Sequence, residues 1–340
     1  MKQRLFWPDL IRAVACVCVV LCHFNAAVSE NFTIEQGIGW NFPLDIYIGT
    51  VGVNLFFMIS GAMLMYVRMS RGKEKLFRFY KKRFLTIYPM YWIVYFIAIS
   101  VSFFVWGWLP NDSWIWILNA LSGFNGYLFV LGITPFAFYQ IGEWFLGCIV
   151  CLYIIAPILL YLIDEYPKRT IVTSFAVCVL LVFRQVHPQF FVMYIPHFLI
   201  GMVLIKYADN FSIRISFLAL ILIGVLYLFP YKQANGIIYS FLVCVCLFVI
   251  LKEVGCRMKS VLIKDIINWL AKYSYAIFLV HHKLIDLLVL RFDLNYLGER
   301  GIILLFLIYC VLTAIISVAI HLLNDRLYSR FSYYISKRKC

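Results

Sequence analysis

The chain has 340 residues, 64% of them hydrophobic and only 14% charged. Soluble domains carry about 25% charged residues to cover a globular surface, so this composition excludes an ordinary soluble protein. In such a chain the net charge of +14 reports membrane topology rather than a nucleic-acid partner.

The apolar residues fall in runs of about 17–23, the length that crosses the hydrocarbon core as α-helix. They do not form the weaker alternating stretches of a transmembrane barrel. In chain order the predicted spans are 7–28, 51–67, 84–108, 144–163, 170–186, 190–205, 215–229, 237–251, 269–290 and 301–323. The expected fold is an all-α polytopic membrane helix bundle with about ten transmembrane helices, a single domain over residues 1–340 with no fused soluble domain. The first run is too polar, at Asp9 and Arg12, for a signal-peptide core, and no small-residue cleavage site stands out, so it reads as a retained helix.

One further apolar stretch, 114–133, contains Asn119, Ser122, Gly123, Asn125 and Gly126 and is polar for a span. Charge decides its placement. If it does not cross, 24 of the 30 Lys and Arg fall on one face and five on the other, with Arg12 inside a helix. If it crosses, every later loop flips and the bias collapses. The positive-inside rule then puts the basic face and both termini in the cytoplasm. Residues 114–133 become a re-entrant or interfacial segment on the outer face, buried against protein or water. Eleven cysteines, mostly within apolar runs, show no ligand-like pattern with histidine, so no metal site is expected. A transporter or flippase is the alternative reading from another class, but the sequence has no internal repeat to support an inverted-repeat transporter.

A charge within the membrane costs about 2.5–3.5 kcal/mol or more and usually marks function. The first span carries three polar groups. Asp9 lies one turn before Arg12, and His23 lies eleven residues after it, returning to within about 20° of the same direction and about 16 Å along the axis. All three share one stripe, either as a functional array or as an interfacial ion pair with a histidine that reaches headgroups. In the second span, Asn54 and Ser60 are polar groups between Gly52 and Gly61, which permit close helix approach. The loop that follows holds eight Lys and Arg over 68–83, ending in Arg78, Lys81, Lys82 and Arg83. It can serve as a topology signal, a headgroup patch or a clamp for the phosphates of a cosubstrate. His281 and His282 end the apolar part of the ninth span near the outer face, where they can meet His23.

Taken in order, these motifs resemble membrane acyltransferase family 3, the integral-membrane O-acetyltransferases of polysaccharides and related acceptors. The likeness rests on D-L-I-R at 9–12 with His23 after ten intervening residues, G-V-N-L-F-F-M-I-S-G at 52–61, F-Y-K-K-R-F-L-T-I-Y-P-M-Y at 79–91 and W-F-L-G-C-I-V-C-L-Y-I-I-A-P at 144–157. F-L-I-G-M at 198–202 and Y-S-Y-A-I-F-L-V-H at 273–281 are weaker echoes. Two positions depart from the pattern. Asn54 stands where the family commonly has Asp, and Thr86 stands where it often has a second Arg.

The resemblance implies an O-acyltransferase of the bacterial plasma or inner membrane. It would use acetyl-CoA or another acyl-CoA as cytoplasmic cosubstrate, and a cell-surface polysaccharide or lipid-linked glycan as acceptor. It implies no permanently bound cofactor and leaves open a homo-oligomer or partner protein. It implies catalytic roles for His23, Arg12 and Asp9, acyl-CoA binding by Arg83, Lys82, Lys81 and Arg78, and support from Asn54, Ser60, Tyr91, Trp144 and His281. On this reading His23 is general base or transient acyl carrier, Arg12 stabilises developing negative charge, and Asp9 orients Arg12. The outer segments 29–50 and 111–143 offer aromatic and polar residues to a glycan.

Overall fold

The computed structural model describes residues 5–31, 41–42, 46–106, 119–134, 141, 144–207, 213–228, 236–289, 291 and 298–337. Helix dominates them. In chain order the helices are α1 (Trp7–Asn31), α2 (Ile48–Arg71), α3 (Leu76–Trp106), a short α4 (Asn125–Val130), α5 (Trp144–Glu165), α6 (Pro167–Phe183), α7 (Ile195–Tyr207), α8 (Ile213–Leu228), α9 (Gly236–Arg257), α10 (Val261–Val289) and α11 (Gly298–Lys337). A 3₁₀ turn, Phe191–Tyr194, leads into α7. A two-residue antiparallel pair, β1 (Asn41–Phe42) with β2 (Ile46–Tyr47), leads into α2.

Every predicted span coincides with a helix. Six helices are long and apolar enough to cross a membrane, those covering Trp7–Ser29, Ile48–Arg71, Leu76–Val105, Trp144–Glu165, Tyr239–Arg257 and Arg300–Ser329. The others differ for physical reasons. Helices α7 and α8 are apolar but short, and α6 has 17 residues. Helix α10 is long but interrupts its apolar run with Lys264, Asp265, Lys272, Lys283 and Asp286. Apolar side chains on the outside of the bundle, such as Phe104, Ile158, Val172, Phe183, Leu218 and Ile315, are widely exposed. That pattern suits a lipid-facing surface, where apolar exposure costs nothing.

The stretch 119–134 is broken. After one helical turn the chain turns at Ser122–Phe124, with Gly123 at φ +79°, and restarts as the six residues of α4. Residues 114–118 lie outside the described residues. The freed carbonyls of the break are claimed by one face of α3: Tyr91 donates to Ala120 O at 2.5 Å, Trp92 Nε1 to Leu121 O at 2.9 Å, and Tyr88 to Ser122 O at 2.9 Å. Irregular backbone at membrane depth is tolerated where protein satisfies it in this way. Tyr127 of α4 packs on Gly147 of α5 and accepts a hydrogen bond from the Phe191 N–H, tying the break to the start of α7.

The core is set by backbone contact. A Cβ on Gly61 would sit 2.0 Å from Phe198 O, and a Cβ on Gly201 would sit 2.0 Å from Met58 O, so α2 and α7 touch main chain to main chain. Such close crossings at small residues hold helices together in lipid, where there is no hydrophobic drive between them. Helix α1 lies between α2, α9 and α10.

The bundle has two chemically different ends. At one, Asp164 of α5 receives Arg68 Nε of α2 at 2.6 Å and Lys206 Nζ of α7 at 3.1 Å. Lys206 also reaches Ile163 O, so one carboxylate and its neighbouring carbonyl lock the ends of three helices together. Trp7 lies here against Gly255, and Lys252 sits over the Trp7 ring. The other end gathers His23, Tyr47, Trp144 and Tyr194.

Candidate active site

At the histidine end the helices enclose a cavity of about 350 Å³. Helix α1 contributes Val19, Cys22 and His23, and α2 contributes Gly49, Thr50, Val53, Asn54 and Phe56 after Tyr47 of β2. The far wall is Trp144 and Phe145 of α5, Tyr194, and Phe278 of α10, with Pro188 and Gln189 at one side. Trp144 and Tyr194 are stacked, centroids 5.6 Å apart at 29°. Cys22 Sγ donates to the Tyr47 hydroxyl at 2.8 Å.

His23 is half-buried and meets two other imidazoles edge to face. Its ring centroid is 4.8 Å from that of His282 and 5.0 Å from that of His281. His281 is completely buried, and its Nδ1 lies 3.1 Å from Ile277 O and 2.8 Å from Phe278 O. Both partners are carbonyl acceptors, so Nδ1 carries the proton and the tautomer of His281 is fixed by its own helix. Tyr309 of α11 donates to His281 O at 3.1 Å, steadying the same turn. Helices α1 and α10 thus bring three imidazoles together, and of these His23 lines the cavity.

The other predicted residues distribute as follows. Asp9 and Arg12 form an ion pair, Oδ1 to Nη1 at 3.1 Å, with Asp9 buried and Arg12 about one-third exposed. They do not line the histidine cavity; the intervening helix sets them about 16 Å down the axis. Asn54 lines the cavity floor, its Nδ2 3.8 Å from Cys244 Sγ of α9, while its Oδ1 has no partner among the described residues. Ser60 lines neither this cavity nor the one at the opposite end. Tyr91 does not reach the site; its hydroxyl is spent on Ala120 O, which makes it a support of the broken segment.

The basic end has a small cavity of about 50 Å³ lined by Arg68, Glu74, Phe79, Arg83 and Pro157, among others. The Arg83 guanidinium lies between the rings of Phe79 and Tyr153, 5.5 and 5.2 Å from their centroids. Its buried Nε has no partner among the described residues. Lys82 reaches Glu74 at 2.5 Å, and Arg78 and Lys81 are exposed. Of the four residues expected to hold acyl-CoA, Arg83 alone lines this cavity, and Lys82 touches it through Glu74. Thr86 does not stand in for an arginine; its hydroxyl bonds back to Lys82 O at 2.7 Å.

Sequence reading missed Tyr47, Gln189, Tyr194 and Phe278. Tyr194 and Gln189 belong to the connection between α6 and α7, where H-P-Q interrupts the apolar pattern at 187–189. That polar break was the available signal. Phe278 and Tyr47 carried none.

Residues 5–322 match the acyltransferase-domain family to which the ordered motifs pointed. The chain belongs to membrane acyltransferase family 3. A curated relative is acyltransferase MdmB of Streptomyces mycarofaciens, 26% identical over 174 residues. That alignment covers 47% of this chain and 40% of MdmB, so the chain spans less than half of that relative's length. No solved structure matches the chain.

Proposed function

We propose that this protein moves a short acyl group, acetyl above all, from acyl-CoA at the basic end to a hydroxyl of a cell-surface or lipid-linked polysaccharide at the histidine end. The observation that carries the reading is His23, an imidazole set in the wall of an aromatic cavity within a family 3 acyltransferase. An imidazole with an ordinary pKa of about 6.5 is the side chain best suited to accept a hydroxyl proton near neutral pH. As the acceptor oxygen attacks the thioester carbonyl, His23 takes its proton, the ester forms, and the CoA thiolate leaves and is reprotonated. His281, with its tautomer fixed, and His282 hold the His23 ring in place. The Trp144–Tyr194 pair offers a flat aromatic face to a sugar ring.

Arg83, backed by Phe79 and Tyr153, gives the cosubstrate phosphates a cation already positioned. The Asp9–Arg12 pair lies between that region and His23 along α1, on the path of the donor's flexible arm. In this reading about ten helices cross a bacterial plasma membrane, the basic end and both termini face the cytoplasm, and 119–134 dips in from the outer side. The segregation of Lys and Arg supports it.

The test is acyl transfer in membranes that express the full chain, with labelled acetyl-CoA and the host's surface glycans. Label in alkali-labile ester on glycan, lost in His23→Ala, is the expected result. Folded protein that consumes no acyl-CoA under these conditions overturns the proposal.

A further inference from the structure

The cavity at His23 has a property that acyl transfer alone does not require. Among the described residues its lining contains no Lys, Arg, Asp or Glu. Its polar side chains are the amides of Asn54 and Gln189, the hydroxyls of Thr50, Tyr47 and Tyr194, the Cys22 thiol, the Trp144 indole N–H and the His23 ring. The sequence extends this observation. From residue 13 to residue 67, and again from 107 to 143, there is no Lys or Arg at all. They hold Glu30, Glu35, Asp45, Asp112 and Glu143 instead.

The cations remaining at this end do not supply the deficit. Arg184, Arg291 and Arg300 are exposed to the outside. Lys283 follows the histidines on α10 but does not line the cavity, and it interacts with Asp286 one turn on. Lys232 lies outside the described residues.

An anion brought into such a space sheds part of its hydration and meets no opposite charge, a costly way to bury a charged group. Resting on the acyl-transfer reading, we infer that the His23 cavity selects against negative charge on both reactants. The acyl group is uncharged, acetyl or a short homologue and not a dicarboxylic monoacyl such as succinyl. The acceptor enters as a hydroxyl-bearing ring without carboxylate or phosphate on it, stacked on Trp144 and Tyr194. Acidic groups of a longer acceptor stay outside the mouth. The phosphates of CoA do not contradict this, because they remain at the opposite end, where the cations are.

The test uses the full chain in membranes at pH 8, above the ordinary imidazole range of about 6.5, so that unperturbed histidines are neutral. Butyryl-CoA and succinyl-CoA are compared as donors of similar size that differ by the carboxylate. Phenyl β-glucoside and phenyl β-glucuronide are compared as acceptors that differ in the same way. The expected result is kcat/KM at least about 10-fold higher for the uncharged member of each pair. Gln189→Arg, which puts a cation at the cavity wall, is expected to raise the glucuronide-to-glucoside ratio at least about 10-fold. Succinyl transfer as fast as butyryl transfer, glucuronide used as well as glucoside, or a ratio unmoved in folded Gln189→Arg each overturns the inference. Failure to transfer any acyl group to any acceptor counts against the acyl-transfer reading itself, so the two failures are distinguishable.

Discussion

The two ends of the bundle solve opposite problems with the same helices. At the basic end α2, α5 and α7 finish in Arg68, Asp164 and Lys206, charges that satisfy one another and leave Arg83 at the edge of a small cavity. At the histidine end, Asn54 of α2, Trp144 at the start of α5 and Tyr194 just before α7 are neutral groups around a cavity seven times larger in volume, about 350 against about 50 Å³. The basic end carries charges tuned by pairing, whereas the histidine cavity is lined by dipoles and one imidazole. On the proposed function, the basic end grips the phosphates of the cosubstrate and the histidine end lets a neutral ester form in the absence of competing charge.

That division is broken or sharpened by substitutions at each end. The largest expected effect is His23→Ala: loss of a general base lowers kcat by about 10²–10⁴-fold, while thermal stability and the KM for acyl-CoA stay near wild type. A kcat unchanged in folded protein removes His23 from the chemistry.

Next is Arg83→Ala. A charge-assisted hydrogen bond contributes about 1.5–3 kcal/mol, so the KM for acyl-CoA is expected to rise about 10–100-fold with the KM for acceptor untouched. An equal rise in both would show that the ends are not separate sites. Trp144→Ala is the mirror experiment. Loss of about 1 kcal/mol of ring packing predicts an acceptor KM about 5-fold higher and an unchanged donor KM.

The smallest effect is expected for Tyr91→Phe. It removes the hydroxyl that donates to Ala120 O and should cost about 0.5–1.5 kcal/mol of stability, read as a lower midpoint in thermal unfolding of the detergent-solubilised protein. Catalytic constants should be unchanged. A selective loss of kcat instead would return Tyr91 to the site.

Sequence periodicity located the helices because membrane thickness imposes one length scale on apolar runs. It could not separate α6, α7, α8 and α10 from the stronger spans, since an apolar run does not show where its helix begins and ends. The 119–134 break was legible from its Gly and Asn residues. Its partners were not, because Tyr88, Tyr91 and Trp92 look in sequence like any aromatic belt. On α1, helical geometry was enough to pair Asp9 with Arg12 and to carry His23 to the far end. The placement of His281 and His282 beside His23 joins positions more than 250 residues apart, and proximity at one face was all the sequence could offer. The basic cluster misled in detail: four consecutive-looking cations at 78–83 diverge around the helix, so Arg83 turns inward while Arg78 and Lys81 do not.

The Gly61–Gly201 crossing has a mechanical consequence. Because backbone meets backbone there, α2 and α7 cannot slide or roll past one another without collision, and they behave as a single rigid strut running from Lys206 and Arg68 to Tyr194 and Asn54. A movement of either helix at one extremity therefore carries its partner with it, so the Arg68–Lys206 end and the Asn54–Tyr194 end keep their spacing.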